Sequence, residues 1–147
     1  MKYNLSLLVL LGLFICSCSA PKEEAVEEPL GNYTIEQFMD VESINGSSFS
    51  PDETRVMINS NESGIFNAYE IDLATGEKTQ VTNSTEDAIF SQGYFPEDDR
   101  FIFTSDQGGN EITHIYIRTD EGDVQDIIQD STAKANFGGW NHDRTHF

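Results

Sequence analysis

The sequence predicts an all-β fold, because one pattern of turn and strand residues occurs twice and begins a third time. The segment at 48–58 recurs at 93–103, and its first residues appear again at 139–147. An aromatic residue holds the same place in each copy, at intervals of 45 and 46 residues: Phe49, Tyr94 and Trp140. A period of about 40–50 residues is typical of propeller blades, each with four short strands. We therefore predict a partial β-propeller: two four-stranded antiparallel blades plus the start of a third.

The first 17 residues are predicted to be a signal peptide, because a basic start precedes an apolar run at 5–15 that is too short to span a membrane. The sequence Ile-Cys-Ser-Cys at 15–18 resembles the bacterial lipoprotein cleavage box, with Cys18 as the lipidated residue. Cys16 fits the box less well, because bulky Ile15 directly precedes it. The alternative is an ordinary signal peptide cleaved near Ala20. The lipoprotein reading predicts an exported protein anchored in the cell envelope, at the outer membrane or the periplasmic face.

The composition beyond this junction excludes several classes of function. Both cysteines lie at the junction, so the remainder has neither a disulfide framework nor a cysteine-based metal site. The chain carries 26 acidic and 8 basic residues, a formal charge of −18. Nucleic acid is excluded as a partner, because phosphate binding needs clustered Lys and Arg. Four of the acids lie at 22–28 without an aromatic residue, which predicts a flexible acidic tether over 18–32.

The remaining residues, 33–147, are predicted to form the incomplete propeller. A short helix is expected at 33–39, where Thr34 is a capping residue and the apolar side chains share one face, so the helix should pack on the first blade. From residue 41 the pattern is that of strands separated by turn residues. The predicted strands are 43–49, 55–60, 65–72 and 78–82 in blade 1 (about 41–82), and 87–94, 100–104, 111–118 and 123–128 in blade 2 (about 85–128). The third blade is predicted to start at about 134–147, so we expect the chain to be the front part of a longer protein.

Two features of the repeats predict how the blades pack. The runs 56–58 and 101–103 are apolar without alternation, which is typical of strands buried on both faces. We expect one face of blade 2, rich in Phe101 and Phe103, to be left uncovered and to promote self-association. Pro51 and Pro96 fall in turns, and the acids that follow them are expected to accept hydrogen bonds from the turn backbone; these acids are Asp52 and Asp98.

Several stretches together resemble a known family. Phe-Ser-Pro-Asp at 49–52, followed by Arg55 and an apolar triplet, resembles the Pro-Asp propeller repeat. That repeat is shared by TolB-type propellers and by the N-terminal domains of the prolyl oligopeptidase (S9) family of serine peptidases. The stretches 33–39, 61–69 and 106–111 resemble secreted bacterial members of the dipeptidyl- and acylaminoacyl-peptidase type. The resemblance covers about residues 33–147.

This resemblance implies a propeller that caps an α/β-hydrolase domain and filters peptide substrates by size. The catalytic serine of the family lies on a G-x-S-x-G elbow, followed in chain order by Asp and His. No serine in this chain has a glycine two residues away on both sides. We therefore assign no catalytic, cofactor-binding or metal-binding residue in this chain. The resemblance implies that peptide substrates would bind through a catalytic domain outside this chain. The alternative is a non-enzymatic TolB-like propeller lipoprotein that serves as an envelope binding or scaffolding module.

The side chains with chemical potential have structural explanations in the sequence. His114 is expected on a blade surface. His142 is expected in a turn, at the place of Pro51. His142 and His146 span a turn followed by a strand, so their four-residue spacing should not bring two ligands together as it does on a helix. The acid pairs at 86–87 and 98–99 are expected in solvated loops. Residues 107–110 are expected to form a hairpin turn and not a phosphate cradle, and Trp140 is expected in a blade core.

Overall fold

The computed structural model describes residue 31 and residues 33–147. The predicted signal peptide, Cys18 and nearly all of the predicted tether lie outside the described residues. The unit at 36–147 contains two four-stranded antiparallel sheets. Its elements, after a helix α1 at Ile35–Met39, are β1 Ile44–Phe49, β2 Arg55–Ser60, β3 Asn67–Asp72, β4 Lys78–Gln80, β5 Phe90–Tyr94, β6 Phe101–Ser105, β7 His114–Arg118 and β8 Val124–Asp126. Sheet 1 has the order β1-β2-β3-β4 and sheet 2 the order β5-β6-β7-β8.

The all-β class is confirmed, and all eight predicted strands are present. Several begin later or end earlier than predicted, because side chains near their ends bond to the backbone and hold turns instead. At the start of β3 the Ser63 hydroxyl donates to the carbonyl of Ile65 at 3.1 Å, so the strand begins at Asn67. Before β5 the Asp87 amide donates to the Ser84 hydroxyl at 3.2 Å, which keeps residues 84–87 out of the strand.

The hydrophobic core lies between the two sheets. Met57 and Ala68 of sheet 1 form one buried cluster with Tyr94, Phe101 and Phe103 of sheet 2. Each of these side chains is at most 5% exposed. The burial of the runs 56–58 and 101–103 on both faces is largely as predicted, although Val56 is only half-buried. The expectation that Phe101 and Phe103 form an uncovered face is wrong, because they face sheet 1.

Close approach of β1 and β5 fixes how the sheets meet. The Tyr94 amide donates to the Ser48 hydroxyl at 3.0 Å, and Asn59 accepts from both the amide and the hydroxyl of Ser91 at 2.8 Å. Gly93 has φ 134°, and a Cβ there would lie 3.2 Å from the Ser48 hydroxyl oxygen. Only glycine satisfies both the backbone conformation and the contact. The paired irregularities at Gly46/Ser48 and Ser91/Gly93 therefore belong to the packing of the two sheets.

A turn at the same place in each repeat, directly after the first strand in the first two, has the same closure in all three copies. The first and last residues are joined by a backbone hydrogen bond in Ser50–Arg55, Phe95–Arg100 and Asn141–His146, at 2.9, 2.7 and 2.9 Å. Asp52 accepts from the Thr54 amide at 3.2 Å, and Asp98 accepts from the Arg100 amide at 3.1 Å. The predicted role of these two acids in the turns is confirmed.

Residues 127–147 contain no helix or strand, yet they follow the course of the preceding repeat. The Ile89 amide donates to the carbonyl of Phe66 at 2.9 Å on the way into β5. The Ala135 amide donates in the same way to the carbonyl of Thr113, at 2.8 Å, after sheet 2. Residues near 135–140 therefore lie next to sheet 2 in the same way that residues 89–94 lie next to sheet 1.

The short helix α1 begins at Ile35 and differs from expectation in its packing. Phe38 is 66% exposed and Met39 is 77% exposed. No residue of this helix is buried, so the expectation that it packs on the first sheet is wrong. None of the helices in the described part of the chain is long and apolar enough to cross a membrane.

Candidate functional site

The second and third repeat turns enclose a groove of about 450 Å³. We call it the aromatic groove, because Phe95, Trp140 and Phe147 form its walls, with Arg144 at its edge. Phe95 is the first residue of the second turn, whereas Trp140 directly precedes the third turn and Phe147 directly follows it. Closure of the third turn brings Trp140 and Phe147 together, and Phe95 of the second turn packs against both rings.

The rings of the groove meet edge to face. Their centroids are 5.2 Å apart for Phe95 and Trp140, 5.1 Å for Trp140 and Phe147, and 6.3 Å for Phe95 and Phe147. The interplanar angles lie between 69° and 88°, the arrangement favoured by the ring quadrupoles. Phe137 adds a fourth ring 6.3 Å from Trp140. Phe147 remains 47% exposed, so this cluster is open to solvent on one side.

Two arginines border the groove, and they differ in their partners. Arg100 lies with its guanidinium 4.2 Å from the Phe95 ring centroid and bonds to both carboxylate oxygens of Asp98, at 2.9 and 2.7 Å. This pairing raises the pKa of Arg100 and lowers that of Asp98. Arg144 is exposed, and its guanidinium has no ion-pair partner within the described part of the chain. The groove thus has one neutralised and one available cation.

The backbone of Arg144 is held in the left-handed region, at φ 56°. Its amide donates to the carbonyl of Asn141 at 2.9 Å, and Asn141 in turn accepts from the Thr145 and His146 amides. Glu53 occupies the equivalent place in the first turn, with φ 58° and a hydrogen bond to the Ser50 carbonyl. The same turn therefore presents an anion in the first repeat and a cation in the third.

Trp140 was expected in a blade core, and the structure places it differently. Its side chain is half-buried in the wall of the aromatic groove. Of the two residues in the same register, Tyr94 is buried but Phe49 is 61% exposed. The equivalent positions therefore do not share one environment, and the register alone did not determine burial.

A polar network crosses between the sheets beside the core. Arg55 bonds to Glu70 within sheet 1 at 3.4 Å and to Asp99 of the second turn at 2.7 Å. The Tyr94 hydroxyl donates to Glu70 at 2.6 Å. Burial of Tyr94 raises its pKa, and the hydrogen bond to Glu70 raises it further. Asp99 is thus a partner in an ion pair between the repeats, although it lies in a loop as predicted.

His114 was expected on the surface, and that expectation is wrong. Its side chain is buried, and its Nδ1 lies 2.7 Å from Oδ2 of Asp126. His114 lies opposite Ser105 in the pairing of β6 with β7, but the Ser105 hydroxyl donates to the Ala88 carbonyl at 2.8 Å. The hydrogen bond between His114 and Asp126 therefore joins β7 to β8. The Ser105 hydroxyl bonds to a backbone carbonyl and not to His114, so this histidine does not activate it.

The other candidate residues do not form a site. His142 and His146 are exposed, and His146 Nδ1 lies 2.8 Å from the hydroxyl of Thr145. Residues 107–110 form the predicted turn, in which the Asn110 amide donates to the Gln107 carbonyl and Asp87 accepts from the Gly108 amide. Within the described ranges, no group of three or more His, Cys, Asp or Glu side chains is arranged to hold a metal ion.

Comparison with known proteins adds no family assignment. No family model matches the chain, and no curated protein matches it.

The sequence analysis did not identify Arg144 and Phe147 as candidate site residues. The signal that would have found them is the alignment of the third turn with the first, which places Arg144 at the position of Glu53.

Proposed function

We propose that this chain is the N-terminal propeller region of an exported, lipid-anchored serine peptidase of the prolyl oligopeptidase family. In this role the two sheets are the first two blades, and residues from about 134 begin the third. The region would cap the active site of the parent enzyme and admit peptides by size. Catalysis would belong to a hydrolase domain outside the printed chain.

The observation that carries the proposal is the threefold recurrence of one closed turn, which twice joins the first two strands of a four-stranded antiparallel sheet. The two sheets have the same strand order, and β5 of the second covers the face of the first at Met57 and Ala68. Repetition of this step is how propeller blades stack around an axis. The choice of a peptidase among propeller proteins rests on the sequence resemblance at 33–39, 61–69 and 106–111.

The test captures the protein from its native cells with an antibody raised against residues 33–147 and treats it with a fluorophosphonate probe. A peptidase should be recovered as a species much larger than the 16.5 kDa of these 147 residues. Its labelled serine should lie outside residues 33–147. Pretreatment with an unlabelled fluorophosphonate should abolish the signal.

Failure to label the captured protein would contradict the peptidase. An unreactive protein with further blades would favour the alternative, a TolB-like envelope module without enzymatic activity. Sequencing the reading frame beyond the codon for Phe147 checks the result independently, since a peptidase requires a G-x-S-x-G elbow downstream.

A further inference from the structure

We propose that Asn45 is a site of spontaneous modification, at which the side-chain amide is converted to aspartate and isoaspartate. The reaction needs an asparagine followed by a residue whose backbone nitrogen can reach the side-chain carbonyl carbon, and glycine hinders that approach least. Asn45 is the only asparagine of the chain that precedes a glycine, Gly46. The inference uses only β1 and its neighbours, so it is independent of the function proposed above.

The attacking group is the backbone nitrogen of Gly46, and the pairing of β1 with β2 leaves it accessible. The Asn61 amide donates to the Ser43 carbonyl at 3.4 Å, so these two residues form a hydrogen-bonded pair. Such pairs alternate with non-hydrogen-bonded pairs in an antiparallel ladder, and the pair of Gly46 with Ile58 is of the second kind. Because β1 lies at the edge of sheet 1, the Gly46 amide points out of the sheet. Gly46 is exposed, and no described atom would lie within 4 Å of a Cβ added there.

The attacked group is the side-chain amide of Asn45, and a fixed donor holds its oxygen. The Asn59 side-chain amide donates to Oδ1 of Asn45 at 2.8 Å. Oδ1 of Asn59 accepts from the Ser91 amide at 2.8 Å, and a backbone amide can only donate, so the orientation of the Asn59 side chain is fixed. Attack at Cγ of Asn45 places negative charge on its Oδ1, and a preorganised donor stabilises such an oxyanion. Asn45 itself is exposed, so the reacting carbon is open to solvent.

The reaction balances with water as its only co-reactant. The Gly46 nitrogen gives its proton to a solvent base and forms a bond to Cγ of Asn45. The bond between Cγ and Nδ2 then breaks, and the nitrogen leaves as ammonia after taking a proton from solvent. The product is a cyclic succinimide. Water opens this ring at the bond from the Gly46 nitrogen to Cγ, which gives aspartate, or at the bond to the backbone carbonyl carbon, which gives isoaspartate.

Isoaspartate at this position would weaken the contact between the two sheets. It adds one carbon to the backbone before Gly46 and therefore displaces the rest of β1 relative to β2. Ser48 lies in that part of β1, and its hydroxyl accepts from the Tyr94 amide of sheet 2 at 3.0 Å. A Cβ at Gly93 would already lie 3.2 Å from the same hydroxyl oxygen, so this contact has little room to move. We therefore expect the converted chain to be less stable than the original.

The experiment incubates the folded chain at neutral and at mildly alkaline pH and follows every asparagine by peptide mapping with mass spectrometry. Enzymatic carboxyl methylation measures the isoaspartate. We expect Asn45 to convert before any other asparagine, at a rate that rises with pH because the Gly46 nitrogen must lose a proton. The converted chain carries one more negative charge, so anion exchange separates it. Its urea midpoint, followed by circular dichroism, should be lower than that of the unconverted chain.

Two variants separate the chemistry from the fold. Gly46→Ala adds a methyl group that hinders the attack and fits the open space at this position, so conversion should slow in the folded and in the urea-unfolded chain alike. Asn59→Asp keeps an acceptor for Ser91 but removes the donor to Asn45. Its rate of conversion should fall about 10- to 100-fold in the folded chain, the range expected for loss of a hydrogen bond to a charged group. The same variant should match the wild-type rate in urea, where this contact is absent.

Two results would overturn the proposal. The first is an Asn45 that stays intact in the folded chain while the urea-unfolded chain converts, because the fold would then protect it. The second is earlier conversion of a different asparagine in the folded chain. An unchanged folded-state rate in Asn59→Asp would remove the role of that side chain as oxyanion donor. Equal urea midpoints before and after conversion would remove the effect on the contact between the sheets.

Discussion

Met57→Ala tests whether the two sheets share one core. Met57 lies on the central strand β2, is fully buried, and belongs to the cluster with Tyr94, Phe101 and Phe103 of the other sheet. Truncation of a buried Met to Ala costs about 2–5 kcal/mol, the sum of lost transfer free energy and a cavity. With a urea slope of about 1.5 kcal/mol per molar, the midpoint should fall by about 1–3 M.

The assay follows urea unfolding by circular dichroism and by Trp140 fluorescence in the same samples. Trp140 packs on Phe95 of the second repeat, whereas Met57 lies in the first, so coupled sheets require both signals to shift together. Leu73→Ala is the control, because Leu73 is 50% exposed in the β3–β4 turn and its truncation should cost less than about 0.5 kcal/mol. A Trp140 transition that stays at the wild-type midpoint would refute the shared core.

Three further predictions concern pH, anchoring and activity. Hydrogen bonds from the Ser50 hydroxyl and from Thr54 lower the pKa of Asp52 from 3.8 to about 2. The ionised carboxylate therefore stabilises the fold above pH 3.8, and this stabilisation is lost as the pH falls through about 2. In acid titrations followed by circular dichroism, the stability of Asp52→Asn should depend less steeply on pH between 3.8 and about 2 than that of the wild-type chain. Cys18→Ala should abolish incorporation of a fatty-acid analogue and release the protein from membranes, whereas Cys16→Ala should not, and retained labelling of Cys18→Ala would contradict the anchor. The purified printed chain should not react with a fluorophosphonate probe, and mass spectrometry that finds a labelled serine within 33–147 would show that the chemistry was misplaced.

The strands were predictable because their ends are marked by local turn chemistry. Gly76 and Gly122, at φ 74° and 96°, lie in the β3–β4 and β7–β8 turns, where the sequence placed them. Pro51 and Pro96 likewise lie in turns between the first two strands of each sheet. Each of these signals acts within a few residues, so neither the register nor the other sheet was needed to interpret them.

The contacts between strands and sheets were less predictable, because they depend on register. The partner of His114 is Asp126, on the neighbouring strand, and only the β7–β8 pairing brings them together. The run at 101–103 is apolar on both faces, so alternation could not show which side faces sheet 1. The irregularities near Gly46 and Gly93 shift the register where β1 and β5 approach, and local propensity does not encode that approach.

The aromatic groove was missed for a related reason. Its rings come from two turns that are far apart in the sequence, and the sequence favoured a buried position for Trp140. Arg144 attracts attention only once the third turn is aligned with the first and its positive φ is known. A repeat pattern does not predict which exposed residues of different turns will lie next to one another.

The most direct test of the central claim, that the second repeat packs on the first, is an NMR measurement on methionine methyl groups. The chain has three methionines, and Met39 is exposed whereas Met57 is fully buried between the sheets. With methyl-labelled methionine, the account predicts one methyl resonance shifted by aromatic rings, with nuclear Overhauser contacts to Tyr94, Phe101 or Phe103, and its loss in Met57→Ala. A Met57 methyl at the position of an unfolded chain, with contacts only to residues of the first repeat, would contradict it.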